Sequence, residues 1–151
     1  MKMLPRVMLV CAVVVSGLIV TSSNAFQKRF ALPAPPTKTD IERGRYLVEE
    51  VAKCSECHTP RKPNGELDEA AWLRGAPIWI QPVARIPNWA DRAPALAGLP
   101  SFTDVQAEKV LEDGTGPNGE ELRPPMHIYH MAPADARAIV AYLKSLPAEV
   151  H

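Results

Sequence analysis

Apolar and polar positions divide the chain into an uncharged leader, a proline-rich stretch and three runs with helical spacing. Ile41, Arg45, Val48 and Ala52 recur at a helical interval behind Thr39-Asp40-Ile41-Glu42. That tetrad predicts a capping box, in which the Thr39 hydroxyl and the Glu42 carboxylate satisfy opposing free backbone N–H groups. A second helix is predicted from Thr103, again with a box to Gln106. Its apolar positions are Ala107, Val110 and Leu111, and Gly114 is its stop signal. A third begins at Pro133 with Asp135 in its first turn, carries Ala136, Ile139, Val140 and Leu143 as an apolar stripe, and ends before Pro147. Ala132 is a poor cap and predicts a frayed start. No stretch alternates as a strand, so an all-α domain is expected over residues 39–147.

Between the first two helices lies a different texture. Residues 59–89 hold Pro60, Pro63, Pro77, Pro82 and Pro87 together with all three tryptophans, Trp72, Trp79 and Trp89. Prolines at this density forbid a long helix or a central strand. Only Asp68 to Arg74 suits a short helical turn.

Composition changes the picture at the N-terminus. Lys2 and Arg6 precede Val7 to Val20, an uncharged run of fourteen residues, and Ser23 and Ala25 stand at the −3 and −1 positions of a cleavage site. The pattern predicts a secretory signal peptide over residues 1–25. The rival is an uncleaved anchor, which would associate the protein with a membrane, but the run falls short of the roughly 20 residues that span a bilayer. Cys11, inside the run, is read as inert. Residues 26–38, with Pro33, Pro35 and Pro36, predict an extended linker. Loss of Lys2 and Arg6 from 17 basic residues leaves 15 against 17 acidic ones. No basic stripe is left, which excludes nucleic acid as the expected partner.

The two remaining cysteines stand in Cys54-Ser55-Glu56-Cys57-His58. C-x-x-C-H is the spacing of covalent c-type haem attachment. On a helical turn, positions i, i+3 and i+4 share a face. Cys54 and Cys57 can then form thioethers to the two haem vinyl groups while His58 is carried beneath the iron. An exported protein would otherwise spend two cysteines on a disulfide, and the adjacent histidine argues against that. A thiol oxidoreductase would set its C-x-x-C in a β-α-β unit, and a zinc site would want further ligands. The tryptophan-rich stretch then has two readings: a loop over the haem edge with indoles packing on it, or a surface excursion with its own small cluster.

The pentapeptide resembles the attachment site of class I c-type cytochromes. That resemblance implies a small helical fold around one covalently bound haem c per chain, here with a proline- and tryptophan-rich insertion. It puts Gly44 and Tyr46 where the family's first helix packs against its last. Pro94-Ala95-Leu96-Ala97-Gly98 resembles the family loop whose proline carbonyl accepts a hydrogen bond from the proximal histidine. The insertion leaves Pro87 as a substitute. Pro124-Pro125-Met126 resembles the distal-methionine loop and implies Met126 as second axial ligand; His130 and Met131 are the substitutes, with His127 adjoining. Arg123 is a candidate to neutralise a haem propionate.

With His58 and Met126 both on iron, the site is closed to small ligands, and His/Met ligation raises the reduction potential. The implied function is periplasmic one-electron transfer rather than enzymatic catalysis, as a soluble carrier or as the cytochrome subunit of a dehydrogenase. The implied partner is a redox protein: a dehydrogenase, a cytochrome complex or an oxidase. The alternative is a haem enzyme or gas-binding cytochrome with an open distal side.

Overall fold

A computed structural model describes residues 35–148. The predicted signal segment 1–25 and most of the predicted 26–38 linker lie outside them. Among the described residues no helix is long and apolar enough to cross a membrane.

The first helix, α1, spans Lys38–Tyr46 and is capped by Thr37, two residues ahead of the predicted Thr39. Both Thr37-x-x-Asp40 and Thr39-x-x-Glu42 satisfy the capping pattern. In the box that forms, the Thr37 hydroxyl accepts from the Asp40 N–H (3.2 Å) and the Asp40 carboxylate accepts from the Thr37 N–H (2.8 Å). The earlier start adds two residues, about half a turn, in open solvent, where no side chain has to be buried for it.

The helix does not run on as a plain α-helix to Ala52. Leu47–Val51 widen into a π-turn, with the Ala52 N–H donating to Leu47 O at 2.8 Å. Such a bulge inserts one residue into the helical register. Leu47 and Val48 both turn inward (6% and 0% exposed) while Val51 turns out. Lys53, in the left-handed region at φ 50, ends the turn. The short helix α2, Ser55–His58, follows at once.

The last two helices match their predicted ends. Helix α3, Asp104–Asp113, is capped by Thr103 and Gln106, and stopped by Gly114 at φ 76. Helix α4 spans Pro133–Ser145, with Ala132 at the cap and no side-chain bond there. Its stripe of Ala136, Ile139, Val140 and Leu143 is buried, and Ala138, Ala141 and Tyr142 are buried beside it. The buried face is wider than a single stripe because α4 is sandwiched between α1 and α3.

Gly44 makes the α1–α4 crossing possible. A Cβ there would lie 1.9 Å from the Ala138 carbonyl oxygen and 2.8 Å from Tyr142 Cβ. The two backbones touch, and Arg43 pins them from outside through Asp135 (Nε–Oδ1, 3.1 Å). Tyr46 takes no part; it is 53% exposed, contrary to the resemblance. The aromatic ring at this crossing comes from α4 instead, as Tyr142.

The insertion corrects the all-α expectation. Ala76–Pro77 (β1) and Arg92–Ala93 (β2) pair antiparallel, Ala76 opposite Ala93. Two residues per strand are too few to alternate visibly in sequence. The predicted short turn forms as a 3₁₀ turn, Glu69–Ala71, capped by Asp68. Leu73, fully buried, then becomes a junction. Its N–H donates to the Thr59 hydroxyl (2.9 Å), and its carbonyl accepts from Leu96 (2.8 Å) and Ala97 (3.1 Å). The Gly75 N–H donates to His58 O at 2.8 Å. The chain thus leaves α2, makes its excursion, and is returned beside it.

Candidate haem centre

A cavity of about 470 Å³ opens between α2, α3, α4 and the loops at 90–94 and 116–129. Its size is that of a cofactor site, and Leu96, Leu99, Phe102, Leu111, Ile139 and Leu143 supply most of its floor. Cys54, Cys57, His58, Met126 and His127 are all among the residues that line it. The helix α2 carries the first three as the spacing predicted.

His58 is oriented from behind. Its Nδ1 lies 2.8 Å from Pro94 O. A carbonyl only accepts, so Nδ1 bears the hydrogen and Nε2 keeps its lone pair. Burial pushes the His58 pKa down, partly offset by the Pro94 carbonyl. The neutral imidazole that results is the form that ligates a metal, oriented by a partner on its other nitrogen. Pro87, the alternative acceptor, is exposed.

Both thiols are free, not joined as a disulfide. Burial raises the Cys54 pKa to about 11, and burial and then Glu56 raise that of Cys57. A dithiol redox site needs the reverse, a thiolate stabilised near neutral pH. A thioether carries no charge, and thiols in an apolar wall suit one.

The other predicted residues separate. Met131 packs into the core and its N–H is tied to Leu111 O (3.1 Å). His130 is exposed and is not part of the cavity wall. Arg123 borders the cavity, but its Nε and Nη2 donate to the carbonyls of Asn88 (3.1 Å) and Trp89 (3.0 Å). It fastens the insertion to the Pro124 segment. The Ala90 N–H completes that seam by donating to Pro124 O at 2.7 Å.

The tryptophans do not line the cavity, contrary to the first of the two readings of this stretch. The insertion borders it through Ile78, Ala90, Arg92 and Ala93. Trp72 packs against the helical core. Trp79, 59% exposed, donates through Nε1 to Glu56 O (3.1 Å) under the Arg61 guanidinium, 4.6 Å from its ring centre. Trp89 Nε1 is a buried donor without a partner among the described residues. An apolar cavity lined by a neutral imidazole and two free thiols fits a flat, largely apolar group.

The family model for cytochrome c matches residues 41–147. The chain belongs to the cytochrome c family. The family's group is covalently bound haem c, and the cavity with its C-x-x-C-H wall fits it. This cytochrome is 38% identical over 119 residues to the fructose dehydrogenase cytochrome subunit of Gluconobacter japonicus, covering 73% of this chain and 23% of that protein. It is 36% identical over 117 residues to a diheme cytochrome c-type protein of Cereibacter sphaeroides, covering 71% of this chain and 36% of the relative. Against the cytochrome c subunit of the quinone alcohol dehydrogenase of Gluconacetobacter polyoxogenes it is 33% identical over 127 residues, 76% of this chain and 26% of that subunit. The matched region therefore spans only about a quarter to a third of each relative's length. Two of these relatives are by name cytochrome subunits of dehydrogenases, and membership of the cytochrome c family supports electron transfer.

Tyr129 was not singled out by the sequence. It borders the cavity three residues after Met126, and its hydroxyl donates to Ala52 O at 3.2 Å. An aromatic residue so close behind a candidate ligand was the available signal.

Proposed function

We propose that this is an exported, periplasmic monohaem cytochrome of the class I type that passes one electron at a time, as the electron-accepting partner or subunit of a dehydrogenase. In this reading residues 1–25 are a signal peptide, 26–38 a linker and 39–147 the haem domain. Cys54 and Cys57 hold one haem c per chain, His58 and Met126 are its axial ligands, and Arg123 lies near a propionate. Bound there, the haem iron supplies a one-electron ferric/ferrous couple.

The observation that carries the reading is the imidazole of His58, held by Pro94 O in a cavity that Cys54, Cys57 and Met126 also line. Pro94 fixes the ring so that Nε2 keeps its lone pair toward the cavity. The apolar floor excludes water, which lowers the reorganisation that each change of charge demands. The Pro124-Pro125 pair limits the backbone freedom of Met126, so its thioether is presented at little further entropic cost. Exposed Trp79, Val83 and Ile86 on the insertion offer apolar contact area to a partner protein.

The test compares the purified holoprotein with Met126→Ala. The parent is expected to be low-spin with a ferric methionine–iron charge-transfer band and no carbon monoxide binding when reduced. Met126→Ala is expected to lose the band, bind carbon monoxide and fall in potential. Rapid carbon monoxide binding by the parent would instead favour the open-site, gas-binding alternative.

A further inference from the structure

Resting on the reading that Met126 closes the iron, we propose that His127 is a latent competing ligand and that Tyr129 is the positioning residue that keeps it off the iron. Met126, His127 and Tyr129 all border the cavity. The loop that carries them is fixed at its ends, where the Met126 N–H donates to Arg123 O (3.2 Å) and the Met131 N–H to Leu111 O (3.1 Å). Between those points no backbone hydrogen bond among the described residues holds 127–130. A shift of a single residue along such a loop exchanges a thioether for an imidazole, and neutral imidazole is the commonest protein metal ligand.

Side chains supply the restraint that the backbone lacks. The Tyr129 ring lies 4.1 Å from the His127 ring, tilted by 49°. Its hydroxyl is tethered to Ala52 O, two residues before Cys54. That carbonyl is available because Ala52 caps the widened turn Leu47–Val51, and the last carbonyls of a helix have no partner within it. Tyr129 therefore ties the loop carrying Met126 to the segment carrying the cysteines, and holds His127 against its own face. Ile128 side-chain atoms occupy the space that a Cβ on Gly114 would need, and Tyr129 itself packs against the core.

The experiment uses the holoprotein in four forms: parent, Tyr129→Phe, Tyr129→Ala, and Tyr129→Ala with His127→Ala. The readouts are the ferric methionine–iron band, the ferric electron paramagnetic resonance spectrum and the reduction potential. Tyr129→Ala is expected to shift the ratio of methionine to histidine ligation about tenfold toward histidine, equivalent to about 1.4 kcal/mol. The band then weakens, a bis-histidine spectrum appears and the potential falls. Tyr129→Phe, which keeps the ring and loses the tether, is expected to lie between. Adding His127→Ala is expected to restore the band. An undiminished band in Tyr129→Ala overturns the inference, as does a loss that His127→Ala does not reverse. A parent without the band overturns the Met126 reading itself, and this inference with it.

Discussion

Tyr142 places a phenol between α4 and the π-turn, with its hydroxyl donating to Glu49 Oε1 at 2.5 Å. Burial first, and then Glu49, push its pKa from 10.0 up to about 12, while Trp72 and Arg45 pull the other way. An unfolded tyrosine gives up its proton near pH 10, and the folded one keeps it to about 12. The associated stability is complete below pH 10 and is lost as the pH rises through 12. Tyr142→Phe is expected to cost about 1 kcal/mol at neutral pH and to flatten the decline between pH 10 and 12, read from urea midpoints across that range. At this scale the residues with a chemical signature were legible: Cys54, Cys57 and His58 line one cavity, and Pro94 O meets His58. Residues whose role is a contact were not. Tyr129 and Leu73 matter through what they touch, and neither spacing nor residue type announces a tether or a backbone junction. Tyr46 misled for the same reason, since an aromatic on a helix does not declare which way it faces.

Helix ends were read from capping chemistry, and the outcome was mixed in an instructive way. Thr103, Gly114 and Pro133 sit at the expected boundaries. Thr39 lost to Thr37 because two boxes overlapped and solvent, not packing, chose between them. The π-turn and the two-residue ladder were invisible, the first because one widened turn of i→i−5 bonding is too short to leave a period of its own, the second because it pairs residues far apart in sequence. Gly44 is where an element-level prediction is sharpest. Gly44→Ala would add a Cβ 1.9 Å from Ala138 O, so α1 and α4 must part. Overpacking of this kind costs about 3 kcal/mol, against about 1 kcal/mol regained in helix propensity. A net loss of about 2 kcal/mol is expected in denaturant unfolding of the holoprotein, with the haem spectrum unchanged below the transition.

The molecule as a whole is a helical frame with one long excursion, and 36 residues of sequence separate His58 from Pro94. The resemblance of the Pro94–Gly98 loop made their contact legible in spite of that separation; what the sequence did not show is how Leu73, Gly75 and the β1–β2 ladder close it. The outer end of the excursion is held by Arg123 and by the Ala90–Pro124 bond. Arg123→Ala is expected to leave His58 untouched, lower stability by about 1 kcal/mol and speed amide exchange at Ala90. Arg123→Lys is expected to rescue little, because a single ammonium does not reproduce the guanidinium fork that reaches two carbonyls. Equal exchange in parent and variant would show that the seam is held elsewhere.

The ladder has a consequence for how this fold can vary. Ala76 and Ala93 are paired partners, so the chain enters and leaves residues 77–92 through one narrow gate. Closing a longer or shorter loop across such a gate changes the entropy only with the logarithm of its length. The outer segment can therefore be trimmed, extended or exchanged between related chains while Leu73 and Pro94 stay where His58 needs them. Variation in partner can accumulate there without disturbing the His58–Pro94 contact.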